Sequence, residues 1–241
     1  MADENQSSND EVSAEIQYAF FMIDDKPYCF WDVDIPTLTL DFLESIDPKY
    51  FEYLGNTYFS EDTEASNLLA SLALRTAYSQ ALETFFAFVA ATLQAPQCVP
   101  AWITTYWPSE LKNVVEKITN NQPFPTILKR GTLSWQHVSD FIYSWLVLED
   151  KSKEKRIKKN FASLWSKFAS DFLDEGFSNE YNSIKHGFRV RPGGFHLSIG
   201  INEKPGEPAP REKMRLLGKS EYGSSYLSSQ QKVFVNKNRP E

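Results

Sequence analysis

Asp62-Thr63-Glu64-Ala65-Ser66-Asn67-Leu68-Leu69-Ala70-Ser71-Leu72-Ala73-Leu74-Arg75-Thr76-Ala77-Tyr78-Ser79-Gln80-Ala81-Leu82-Glu83-Thr84-Phe85-Phe86-Ala87-Phe88-Val89-Ala90-Ala91-Thr92-Leu93 is the stretch that decides the fold. Leu68, Leu72, Leu82, Phe85, Phe86, Val89 and Leu93 recur at helical spacing. Strong helix formers fill the positions between, with no Gly or Pro among them. The pattern predicts one helix over residues 62–93, roughly 45–50 Å long at 1.5 Å per residue, with room for a bend near 75–79. Ala95-Pro96 stops it. Arg75, Ser79 and Glu83 interrupt the apolar pattern at steps of four and form a polar stripe. That stripe reads either as a solvated face or as a face turned toward a second charged segment near residue 186.

Beyond the long helix, Pro100 and Trp107-Pro108 predict a loop. Pro108 suits the first turn of a helix reaching Ile118, where its missing N–H costs nothing. Val114, Val115 and Ile118 give that helix its apolar side. Residues 120–125 read as a turn. Ser134 reads as the cap of a helix reaching Leu148, with Val138, Phe141, Ile142, Trp145 and Leu146 inward. A charged segment over 149–159 leads into a helix over 155–173, carrying Phe161, Leu164, Trp165, Phe168 and Phe172, which Glu175-Gly176 ends. A shorter helix over 179–186 follows, with Gly187 at C′. On the N-terminal side, residues 1–14 read as a disordered tail. The aromatic segment 15–36 reads as a strand pair or an irregular cover, and a short helix is expected near 39–46. Asp47-Pro48 breaks it.

After residue 190 the period changes. Arg191-Pro192-Gly193-Gly194 reads as a turn. Phe195, Leu197, Ile199 and Ile201 alternate with His196, Ser198 and Gly200, the pattern of a half-buried strand. Pro205, Pro208 and Pro210 mark a loop, and 214–217 and 231–235 read as further strands. The expected fold is therefore mostly α: an antiparallel helical bundle with a small C-terminal β-hairpin region. The expected organisation is a tail over 1–14, a helical domain with its N-terminal covering segment over 15–190, and a β-hairpin appendage or arm over 191–241.

Charge is segregated along the 241 residues. Residues 1–150 hold 7 Lys/Arg and 22 Asp/Glu, a net of −15, whereas residues 151–241 hold 18 and 10, a net of +8. The halves attract each other within the fold or across a dimer, or the basic half meets an anionic partner such as RNA. Cys29 and Cys98 stand far apart, which argues against a disulfide framework or a zinc site. No HExxH pattern accompanies the three His. The polar, acidic N-terminus lacks signal-peptide features, and the best apolar window, 84–93, is too short to span a bilayer. The expectation is a cytoplasmic protein with no cofactor, metal or membrane association.

The one site-like segment is Asn182-Ser183-Ile184-Lys185-His186-Gly187-Phe188-Arg189. A helix places Asn182 and His186 one turn apart on one face. Lys185 sits beside His186, and Arg189 and Arg191 follow the helix end. His186 is a candidate proton carrier near neutral pH. Lys185 and Arg189 are candidates to hold a phosphate and stabilise charge on its oxygens, and Asn182 to orient the imidazole. The bland alternative is a solvated helix end in which His186 bonds a carbonyl. His137 and His196 read as structural. Lys151, Lys153, Lys155, Arg156, Lys158 and Lys159 form a second basic cluster, read either as a solvated helix start or as a surface for an anionic partner.

Over residues 62–188 the chain resembles the HEPN superfamily of helical nucleotide-binding and RNase domains. The resemblance rests on the long helix around residues 74–83, the later helices, and Asn182-Ser183-Ile184-Lys185-His186-Gly187 at the end of a terminal helix. It implies an antiparallel bundle, often a two-fold dimer. In active members it implies metal-independent RNA cleavage by an Arg and a His, with Asn commonly after the Arg. His186 matches the family histidine and Asn182 the usual Asn. Tyr181 stands where the Arg is expected, so Lys185, Arg189 or Arg191 would have to supply its charge. The resemblance thus implies a homodimeric domain that binds RNA, a nucleotide or a partner protein and need not be catalytic. A metal-independent endoribonuclease using His186 and a purely structural dimeric scaffold are the alternatives.

Overall fold

The protein is described here by a computed structural model covering residues 16–59, 64–186, 189–193, 195–201, 209–220, 223–227 and 234–238. It is mostly helical with a small antiparallel β region. The tail over 1–14, Gly187 and most of the loop around Pro205 and Pro208 lie outside the described residues.

Segment 15–36 forms a strand pair, β1 (Gln17–Ile23) and β2 (Lys26–Asp32), turning at Asp24, whose φ is 52°. Period-2 alternation sends Ala19, Phe21 and Ile23 into the core and leaves Tyr18, Phe20 and Trp31 exposed. Asp34 caps α1 (Ile35–Ser45) by accepting the Thr37 N–H. After Asp47-Pro48 comes α2 (Lys49–Phe59), a helix not anticipated from the sequence and lacking any buried residue.

The long helix is α3 (Glu64–Gln94), closely as its apolar spacing predicts. Leu82, Phe86, Val89 and Leu93 are buried, and so are Ala87, Ala90 and Ala91, small residues that let neighbouring rings come close. The fully buried Phe86 ring lies 5.5 Å from Trp135 and 5.1 Å from Phe172. Such ring pairs contribute about 0.5–1.5 kcal/mol each beyond their area. At the C-terminal end of α3, Gln94 is buried and its amide is fully used. Nε2 donates to the Asp24 and Pro125 carbonyls, while Oε1 accepts from the Asp24 N–H and Trp102 Nε1.

Pro100 does not open a loop but occupies the first turn of α4 (Val99–Thr105). Then α5 (Pro108–Thr119) starts at Pro108, with Glu110 reaching back to the Trp107 N–H at 2.8 Å. Ser134 caps α6 (Trp135–Ile142), and His137 Nδ1 accepts the Ser134 N–H at 3.2 Å, a structural role. The helix stops at Ile142 rather than Leu148, because Tyr143 turns out of it to stack on Trp165 and meet Phe161. Trp145, expected inward, is consequently 73% exposed.

The next helix starts earlier than expected. Asp150 accepts the Ser152 and Lys153 N–H groups and opens α7 (Lys151–Leu173), so the basic cluster lies on the helix itself. Asp174 then ends α7 and, by accepting the Phe177 N–H at 2.9 Å, opens α8 (Glu175–Lys185). Gly176 therefore sits inside a helix that also began earlier than its sequence pattern indicated.

The C-terminal region holds two small antiparallel assemblies. β3 (Val190–Pro192), β6 (Gly223–Leu227) and β7 (Phe234–Asn238) pair in the order β3-β6-β7, while β4 (Phe195–Ile199) pairs β5 (Arg215–Ser220). Arg191 and Pro192 are strand residues rather than turn residues, paired with Ser225 and Ser224, and the positive φ falls on Gly193. The strand expected over 231–235 begins at Phe234, with 231–233 outside the described residues. Leu72, Val190 and Tyr226, with Ile184 against them, form a second small core that seats β3 and β6 on α3 and α8.

Candidate functional site

The polar stripe of α3 faces a neighbour. Arg75, Ser79 and Glu83 line a cleft of about 310 Å³ together with Ser178, Tyr181, Asn182 and Lys185 of α8. These α8 positions recur at helical intervals of three and four, so one edge of that helix makes one wall. Tyr78 of α3, Ser109 and Lys112 of α5 and Asp171 of α7 complete the polar lining.

Several of these groups are held by specific partners. Arg75 Nε donates to Glu180 Oε2 at 3.0 Å, and the guanidinium lies 3.2 Å from the centre of the Phe177 ring. Tyr78 donates from its hydroxyl to Asp171 Oδ2 at 2.7 Å. Burial, then that bond, pushes the Tyr78 phenol well above its ordinary range. Tyr106 is pushed up to about 12, by burial first and then by the Glu83 carboxylate that accepts its hydrogen bond. Burial and the Glu83 charge also raise Tyr181, whose bond to Gln80 works in the opposite direction. All three phenols are therefore neutral at pH 7 and serve as hydrogen-bonding groups rather than bases. Lys112 Nζ donates to Ser178 Oγ at 2.7 Å, and Lys185 Nζ lies 5.7 Å from the centre of the Tyr181 ring.

The cleft thus offers two ammonium groups, two carboxylates and tyrosine hydroxyls over an apolar floor that includes Leu82 and Leu111. Such a set can pair with an anionic group and with hydrogen-bond donors at once.

The residues named from sequence divide into three places. Asn182 and Lys185 line the cleft. His186 caps α8 through its own N–H, which donates to the Asn182 carbonyl at 2.9 Å, and its exposed ring lies outside the cleft lining. Arg189 is exposed and also outside it, with its N–H on the Ser183 carbonyl. Arg191 lies in β3, and its side chain and that of His196 are outside the described residues. Lys155, Arg156 and Lys159 are exposed on α7, and Lys158 is bonded to Glu154 at 2.8 Å. Lys155 stands sixteen residues before Asp171, roughly 24 Å along the helix, so the basic cluster is a separate surface. Among the described residues Glu83 makes no ion pair with Lys185 or Arg189.

Sequence reasoning did not find Lys112, Asp171, Phe177 or the positive contribution of Tyr181. They come from elements far apart in the chain, and only Lys112, beside buried Leu111 on an amphipathic helix, carried a local signal. Among the described residues no group of His, Cys, Asp and Glu is placed to hold a metal ion, and no helix is long and apolar enough to cross a membrane. Comparison with family models, with curated proteins and with solved structures finds no match to this chain.

Proposed function

We propose that this chain is a HEPN-like helical domain that binds a nucleotide in the cleft between α3, α5 and α8, without a catalytic role for His186. The observation that carries the reading is the arrangement along α8. Lys112 meets that helix at Ser178, and Lys185 stands seven residues later, about 10 Å along the axis. Glu83, Asp171 and the tyrosine hydroxyls lie in the same cleft. An ammonium group takes a phosphate, and the carboxylates accept from sugar hydroxyls or base amino groups. The cleft volume is at the lower end of small-molecule sites. The long central helix and the Asn182…His186 spacing on the last helix support the HEPN likeness.

Calorimetric titration of the full chain with AMP, GMP, CMP, UMP and inorganic phosphate tests it. A mononucleotide is expected to bind more tightly than phosphate alone, and Lys112→Ala and Lys185→Ala each to weaken it about tenfold, or 1.4 kcal/mol. Absence of binding at millimolar nucleotide, or equal binding by both variants, would overturn it. RNA incubated with the protein in EDTA is expected to stay intact. Cleavage that disappears in His186→Ala would replace this reading with a metal-independent ribonuclease.

A further inference from the structure

The N-terminal three-quarters of α7 is strongly cationic, bordered by Asp140 of α6 and by the capping Asp150. Between Lys151 and Lys167 the helix carries seven cations, Lys151, Lys153, Lys155, Arg156, Lys158, Lys159 and Lys167, and one carboxylate, Glu154. That carboxylate is fully occupied, accepting from Lys151, Lys158 and the Leu148 N–H. Lys153, Lys155, Arg156, Lys159 and Lys167 are exposed and enter no ion pair among the described residues. At 3.6 residues per turn Lys153, Arg156 and Lys167 lie on the side opposite buried Ala162, Trp165 and Ala169, while Lys155 and Lys159 lie at the edge of the exposed arc, beside Gln136 and Asp140 of α6.

An exposed aromatic ring is anchored to the same helix from its Phe161–Trp165 side. Trp145 is 73% exposed, with its ring centre 6.3 Å from that of Tyr143. Tyr143 in turn is stacked against Trp165 and packed on Phe161 of α7. The indole is thus tethered beside the cationic helix while its own surface stays in water. Cations to track a phosphate backbone and a free ring to take a base are the two parts of a single-strand-binding surface. A lipid surface fits less well, since the exposed residues between the cations are Ser152, Asn160 and Ser163, with Leu164 the one large apolar side chain.

We propose that the solvent face of α7, together with Trp145, binds single-stranded nucleic acid, with Lys153, Lys155, Arg156 and Lys159 on successive phosphates and a base stacked on the Trp145 indole. The segregation of charge along the chain supports this. The acidic first half repels a polyanion, so approach is steered to the basic half. The surface is independent of the nucleotide cleft, which lies at the other end of α7.

Fluorescence anisotropy of the full chain with fluorescein-labelled U12 and dT12, in EDTA and 50 mM salt, tests the proposal. Binding is expected, with log K falling against log salt at a slope of about −3 if four or five phosphates are neutralised. Lys155→Glu with Lys159→Glu is expected to weaken binding at least tenfold, and Trp145→Ala about tenfold, with unchanged melting temperatures because all three side chains are exposed. Oligonucleotide binding is expected to quench tryptophan emission in the parent chain and much less in Trp145→Ala. Lys112→Glu and saturating AMP leave oligonucleotide binding unchanged, which separates this surface from the cleft. Preference for U12 or dT12 assigns the ligand as RNA or DNA. No binding at 50 mM salt overturns the proposal. So does binding indifferent to these substitutions, and so does association with phosphatidylserine vesicles or an oligoglutamate peptide but not with either oligonucleotide.

Discussion

Arg75 on α3 donates to Glu180 on α8 at 3.0 Å, joining positions 105 residues apart, with both side chains about nine-tenths buried. The other carboxylate oxygen of Glu180 accepts from Ser224 Oγ on β6. One carboxylate therefore sets the rotation of the cleft wall and pins the C-terminal sheet to it.

Removing one partner of this pair leaves the other charge buried. Glu180→Leu is expected to cost about 3–5 kcal/mol. Arg75→Met combined with Glu180→Leu is expected to recover most of that loss, because no lone charge remains. Urea denaturation of the three proteins decides it: a double variant no more stable than the single one would show that the pair is not what holds α8.

Gln94 is a second buried polar group whose replacement exposes its partners to an apolar cavity. Gln94→Leu strands the Asp24 N–H and carbonyl, the Pro125 carbonyl and one acceptor of Trp102 Nε1, which also reaches the Met22 carbonyl at 3.0 Å. An unsatisfied buried group costs about 1–3 kcal/mol, and about 3 kcal/mol lowers the melting temperature of a chain this size by roughly 6–12 °C. A thermal melt showing a shift below 3 °C would mean that the β1–β2 turn relaxes around the new side chain.

Glu154 predicts an acid-dependent contribution. The bonds from Lys158, the Leu148 N–H and Lys151 hold its carboxyl down to about 2, against 4.5 for a free glutamate. The unfolded chain therefore takes up this proton before the folded one does. Stability from the cluster is complete above about pH 4.5 and is lost as pH falls toward 2. Glu154→Gln should melt lower than the parent at pH 7, with the gap narrowing between pH 4.5 and 3. A gap independent of pH would assign the effect to packing.

Tyr106, which lies outside the cleft lining and bonds to Glu83 within it, provides a direct electrostatic readout. Burial first, and then the Glu83 carboxylate, place the Tyr106 phenol at about 12. In Glu83→Gln the carboxylate charge is gone while the burial remains, so the Tyr106 midpoint should fall but stay above 10. Titration of ring-carbon-labelled tyrosine by NMR measures it, and an unchanged midpoint would place Glu83 outside the cleft electrostatics.

Several elements were legible from residues alone because their signals are local. Unbroken apolar spacing over 64–94 predicts α3, Pro108 marks the start of α5, and Ser134 caps α6. The strand pair over 17–32 shows in its alternation. Other boundaries depended on partners. The first turn of α4 accommodates Pro100, which read as a loop marker, and α6 ends six residues early because Tyr143 finds the rings of Phe161 and Trp165. The start of α8 moved because Asp174, an ordinary surface residue in sequence, caps a new helix.

Residue patterns alone carried six of the helices but not α2 or α4, together with the change to strands after residue 190, the segregation of charge, and the facing potential of the Arg75–Ser79–Glu83 and Asn182–Lys185 stripes. Periodicity and local charge are properties of neighbouring residues. Packing brings these two stripes into one cleft with Lys112 and Asp171, and leaves His186 and Arg189 outside its lining. The rotation of α8 against α3 is set by contacts across 105 residues, above all Arg75 with Glu180, and no local pattern encodes a contact of that range.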